Sequence, residues 1–73
     1  MDGTTLRVAN VGNEEDIEAV RDVLDGLGVS YEHVDSDPED SYPQTAYFQV
    51  PSDLDDAPLT RLAEERGLDI ELL

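Results

Sequence analysis

Apolar and polar positions alternate near the start of the chain. In Thr4-Thr5-Leu6-Arg7-Val8-Ala9-Asn10-Val11, Leu6 and Val8 fall on one side of an extended backbone, which predicts a strand over residues 4–11 ended by Gly12. The period then changes. Ile17, Val20, Val23, Leu24 and Leu27 recur at the spacing of one helical face, so a helix is predicted over residues 14–27. Asn13 stands before it as N-cap with Asp16 three residues on, and Glu14, Glu15 and Asp16 complement the positive end of the helix dipole. Gly28 supplies the left-handed residue expected at its end. Residues 29–35 read as a second strand with Val29 and Tyr31 inward, followed by an acidic loop over residues 36–41. Gln44 to Val50 reads as a third strand with Ala46, Phe48 and Val50 inward. Pro58 is tolerated only in the first turn of a helix, which places a second helix from about Ala57 to Arg66, capped by Asp55 or Asp56 and burying Leu59, Leu62 and Ala63. Gly67 stops that helix, and Leu68 to Leu72 alternates as a last strand with Leu68, Ile70 and Leu72 inward.

The two halves repeat weakly. Val20, Val23, Gly28, Val29, Tyr31 and Glu32 match Leu59, Leu62, Gly67, Leu68, Ile70 and Glu71, each 39 residues later, so a helix, a terminating glycine and an alternating strand occur twice. With a leading strand before each helix the order is βαββαβ. This is the α+β ferredoxin-like arrangement, a two-layer sandwich with antiparallel sheet order 4-1-3-2 and both helices on one face. At 73 residues the chain is expected to form a single domain, 1–73, near the lower end of what folds alone.

Such a sheet keeps one face open. On it the inward assignments leave Thr5, Arg7 and Ala9 from strand 1, Thr45, Tyr47 and Gln49 from strand 3, Ser30 and Glu32 from strand 2, and Asp69 and Glu71 from strand 4. Strands 1 and 3 are central, so the middle of the face carries no acid and displays Tyr47. From Ser41 to Ser52 there is no Asp, Glu, Lys, Arg or His, and three of the four aromatics (Tyr42, Tyr47, Phe48) lie there. An aromatic patch ringed by carboxylates matches the anatomy of a protein contact, and Arg7, Thr45, Tyr47 and Gln49 are its candidate residues. A central strand left uncharged because both its faces are half covered would give the same pattern.

Charge adds what the pattern does not show. The formal net charge is −15, and all four basic residues are Arg. At ordinary salt such density opposes compaction. At about 1 M salt, where the Debye length is about 3 Å, neighbouring carboxylates barely sense each other. The composition resembles that of proteins from a salt-accumulating, haloarchaeal-type cytoplasm. Arg7, Arg21, Arg61 and Arg66 are scattered among acids, so neither nucleic acid nor an anionic membrane is an expected partner. No apolar run approaches the roughly 18 residues of a membrane span, and the N-terminus has no basic leader, so a cytoplasmic protein is expected. The absence of cysteine removes disulfides, thiolate metal sites and Cys nucleophiles.

Chemistry-bearing residues are few. Asp35-x-Asp37-x-Glu39 spaces oxygen ligands as calcium loops do, but the sixth and twelfth positions, Gly and Glu in an EF-hand, are Asp40 and Ala46. Diffuse cation binding by a solvated acidic loop is the expectation there. His33 is the only imidazole; it aligns with Leu72 in the repeat, at the rim of the core, and no motif sets a Ser or Thr beside it. No catalytic residue, metal site or cofactor is therefore assigned. Metal-transporting domains of this topology need paired cysteines, acylphosphatases an Arg in the first loop, and RNA-recognition domains aromatics on strands 1 and 3 among basic residues; of these only Tyr47 is in place. Leu24-Asp25-Gly26-Leu27-Gly28-Val29, reached from a strand through a Gly-containing loop, resembles the corresponding stretch of ACT-type regulatory domains. That resemblance, over residues 6–35, implies a small-ligand site at Asn10, Gly12 and Asn13 and a dimer edge. The leading expectation is a non-enzymatic domain acting through protein contacts, as a homodimer or an accessory subunit. An ACT-like ligand-binding regulatory domain is the alternative.

Overall fold

The computed structural model describes residues 3–38 and 41–73. Its elements follow in the order β1 (Gly3–Val11), α1 (Glu14–Leu27), β2 (Glu32–Asp37), β3 (Gln44–Pro51), α2 (Ala57–Arg66) and β4 (Asp69–Leu72). They form an α+β structure with one four-stranded sheet, antiparallel throughout, in the order β2-β3-β1-β4, which read from the other edge is β4-β1-β3-β2. Met1, Asp2 and two residues of the acidic loop, Glu39 and Asp40, lie outside the described residues. No described helix is long and apolar enough to cross a membrane.

Both helices pack on one sheet face. Leu6, Val8, Phe48 and Val50 point from β1 and β3 into a core that Val20 and Leu24 of α1 and Leu59 and Leu62 of α2 close from above. Phe48 is fully buried, meeting Tyr31 edge to face at 6.2 Å and lying stacked under His33 at 4.7 Å. Burial of Phe48 sets the register of β3 as the alternation predicts and leaves Tyr47 on the opposite face. Partial burial of the Tyr31 ring, then the Asp25 carboxylate beside its hydroxyl, hold the Tyr31 phenol above its ordinary pKa. Leu54, in the turn before α2, also reaches the core, a residue that its acidic neighbours Asp53 and Asp55 conceal in the sequence.

The helix ends follow the capping residues. Asn13 Oδ1 accepts the Asp16 N–H at 3.1 Å, and Gly28 and Gly67 close α1 and α2 with φ of 73° and 71°. At the second helix the cap position is Asp56, but the side-chain bond comes from Asp55, whose Oδ1 accepts the Ala57 N–H at 3.1 Å.

The structure corrects the second strand. Val29 and Tyr31 do pack against the core, yet pairing begins only at Glu32 and runs to Asp37, into the stretch expected as acidic loop. A register shift lies between His33, opposite Phe48, and Asp35, opposite Tyr47. The extra residue, Val34, is taken up by this bulge and is 49% exposed. Beyond it the alternation changes sides, so Asp35 and Asp37 join Glu32 on the open face, while Ser30 precedes the strand. A similar shift in β1 between Val8 and Val11 sets Asn10 at φ 64°. Asparagine tolerates this left-handed conformation better than most side chains. The left-handed residue near the end of β1 is thus Asn10, while Gly12 in the connection to α1 has no positive φ.

Candidate functional site

The registers order the open face into rows. Asp35, Tyr47, Arg7 and Glu71 are successive cross-strand partners from β2 to β4. On one side of that row lie Glu32, Gln49 and Thr5; on the other, Asp37 pairs with Thr45 and Ala9 with Asp69. The candidate residues Arg7, Thr45, Tyr47 and Gln49 are therefore neighbours at the centre of one surface. Tyr47 is half-buried rather than fully exposed, and Gln49 is exposed. Arg7 reaches Glu71 with Nη2 to Oε1 at 3.4 Å, while its Nε is buried and finds no hydrogen-bond partner among the described residues. The centre thus holds an aromatic ring and one guanidinium, and the two outer strands hold carboxylates. Past Gln49 the face continues into a shallow, open depression of about 580 Å³ bordered by Gly3, Tyr31 and Pro51.

Asn10, Gly12 and Asn13 also come together, but their polar groups are engaged with one another's surroundings. Asn10 Nδ2 donates to the Gly67 carbonyl at 2.7 Å, and the Gly12 N–H donates to Asp16 Oδ2 at 3.0 Å. Asp16, whose carboxylate is buried, accepts Arg66 Nη1 on its other oxygen at 2.8 Å. This one carboxylate joins the β1–α1 loop, the first turn of α1 and the last turn of α2. Nothing local in the sequence pairs Asp16 with a residue 50 positions away. Replacing Asp16 with Ala removes both bonds, but Gly12 and Arg66 are exposed and regain water, so the expected loss is about 1 kcal/mol in urea unfolding, the net worth of an ordinary hydrogen bond. Asp16→Asn, which keeps an acceptor oxygen, should lose less. Equal stability of Asp16→Ala and wild type would show that the junction contributes nothing.

A third cluster went unseen in the sequence. Arg21 of α1 and His33 and Ser36 of β2 border a cleft of about 260 Å³ that Tyr42 and Gln44 also line. Arg21 Nη2 lies 3.1 Å from His33 Nδ1, and His33 Nε2 lies 2.7 Å from Ser36 Oγ and 3.1 Å from the Asp35 carbonyl. A guanidinium can only donate, so Nδ1 is the acceptor and Nε2 carries the proton. The imidazole therefore donates toward Ser36. Activation of a serine needs the opposite tautomer, with a lone pair facing the hydroxyl and an acceptor on Nδ1. His33 here fastens the bulged strand to α1 and covers Phe48.

Among the described residues no three His, Cys, Asp or Glu side chains gather to hold a metal ion; the Asp35-x-Asp37-x-Glu39 spacing has its third acid outside them. No family model matches the chain, and neither a curated protein nor a solved structure was found to match it.

Proposed function

We propose that this chain is a small non-enzymatic domain of ferredoxin-like arrangement that works through protein contacts made by its open sheet face, as a homodimer or an accessory subunit, in a salt-rich cytoplasm. The observation that carries the reading is the distribution of charge on that face: Tyr47, Thr45, Gln49 and Arg7 occupy the central strands, and carboxylates occupy both outer ones. A centre of aromatic, amide and Arg side chains without acids, inside a charged rim, is how protein contacts are built. The βαββαβ order, with both helices on the other face, supports the ferredoxin-like assignment and leaves this face uncovered. The ACT-like alternative has less behind it, because Asn10 Nδ2, the Gly12 N–H and Asn13 Oδ1 are already bonded to Gly67 and Asp16.

Tyr47→Glu puts a charge at the centre of the patch on the side away from the helices. The variant should keep the circular dichroism of the wild type while losing self-association or partner capture. Sedimentation equilibrium at high KCl, with pull-downs from both baits, reads the outcome. A wild type that is monomeric at every accessible concentration, together with identical captures by the two baits, would sink the reading.

A further inference from the structure

We propose that the occupant of the open face is a basic partner segment, one that sets two cationic groups roughly 14 Å apart on either side of an aromatic group, and not a second copy of this chain. The inference rests on the reading above that this face is a contact surface, and it names the partner.

The geometry that excludes a second copy is the presence of acid on both outer strands. Glu32, Asp35 and Asp37 stand along β2, and Asp69 and Glu71 along β4. Two copies meeting face to face about a two-fold axis with their strands aligned, as stacked sheets commonly are, bring β2 over its own equivalent or over β4. Either way carboxylates meet carboxylates, and like charges brought together across an interface are strongly disfavoured. Arg7 does not relieve this, since it is the lone cation among the face residues and already leans on Glu71. A partner carrying cations meets no such penalty, and charge pairs partly buried at contact are screened by salt far less than exposed ones.

The spacing follows from the rows. Asp35, Tyr47, Arg7 and Glu71 span three interstrand gaps of about 4.8 Å, so the two acids at the ends of the row are roughly 14 Å apart along the backbone positions. An extended segment laid across the strands rises about 3.4 Å per residue and shows every second side chain to the same surface, so cations at i and i+4 are separated by about 13 Å. The side chain at i+2 then falls over Tyr47 and Arg7. An aromatic ring there gains offset stacking on Tyr47 and a guanidinium contact with Arg7.

The test uses the full chain at the lowest KCl concentration that preserves its circular dichroism. Two capped peptides of identical composition, Lys-Thr-Trp-Thr-Lys and Lys-Lys-Thr-Thr-Trp, are titrated while backbone amide shifts are followed by NMR. The first should shift Arg7, Thr45, Tyr47 and Gln49 most and bind about threefold or more tightly than the second, a difference of the size of one exposed ion pair. The double variant Asp35→Asn/Glu71→Gln should remove the preference between the peptides, and the wild type should sediment as a monomer. Equal affinity for the two peptides, or shifts centred on the α1 acids Glu14, Glu15 and Glu18, overturns the proposal. A wild-type dimer that Tyr47→Glu dissociates overturns it too, while leaving the contact-surface reading intact. A monomer whose sheet face neither peptide touches overturns this proposal alone, and the pull-downs with the Tyr47→Glu bait then decide the contact-surface reading.

Discussion

Phe48→Ala should strip the fold of a large share of its stability. The ring is fully buried between His33, stacked at 4.7 Å, and Tyr31, edge-on at 6.2 Å, and it pairs across the sheet with Leu6. Truncating a buried aromatic costs about 3–5 kcal/mol, through lost transfer energy and the cavity left behind. At about 0.05–0.15 kcal/mol per residue, a chain of 73 residues has about 4–11 kcal/mol in all. The measurement is urea unfolding by circular dichroism, with Phe48→Leu as a milder companion that retains most of the volume and should remain folded. Stability within about 1 kcal/mol of wild type for Phe48→Ala would mean that β3 is paired one residue out of register, with Tyr47 inward.

Melting temperature should climb steeply with KCl. The net charge of −15 is carried at closer spacing in the folded chain than in the unfolded one, so screening favours the folded state. Between about 0.1 and 3 M KCl the screening length falls roughly fivefold. Beyond the range where screening saturates, apolar burial against a concentrated electrolyte continues the trend. Thermal melts across that series decide the matter, and a flat or falling curve removes the salt-adapted reading.

The helices were legible because their ends are written in single residues. Asn13, Pro58, Gly28 and Gly67 fix caps by local backbone chemistry, which depends on nothing distant. β1 and β3 were legible because one side of each must be apolar to meet the helices. β2 was legible only as far as Asp35, since Ser36 and Asp37 have the composition of a loop. They pair because Ala46 and Thr45 offer backbone partners, and a hydrogen-bond ladder does not read side chains. As an edge strand it tolerates acids that a central strand would not. The same bulge hid two of the five rim acids of the candidate face, because a single extra residue, Val34, moves Asp35 and Asp37 to the other side. The centre of the face, Arg7, Thr45, Tyr47 and Gln49, was legible from alternation alone. The bonds Asp16 to Arg66 and Arg21 to His33 arise only from packing, and no local pattern announces them.

The register shift between His33 and Asp35 also governs how molecules meet side by side. A sheet edge with a regular ladder of free amide and carbonyl groups is a template on which further strands polymerise. Here the β2 edge is broken by Val34 and studded with Asp35 and Asp37, and the opposite edge, β4, is only four residues long and carries Asp69 and Glu71. Neither border offers an unbroken, neutral run for another chain to extend. Even where concentrated electrolyte has screened the long-range repulsion between molecules, the break at Val34 and the shortness of β4 hinder the sheets from fusing edge to edge into fibrils.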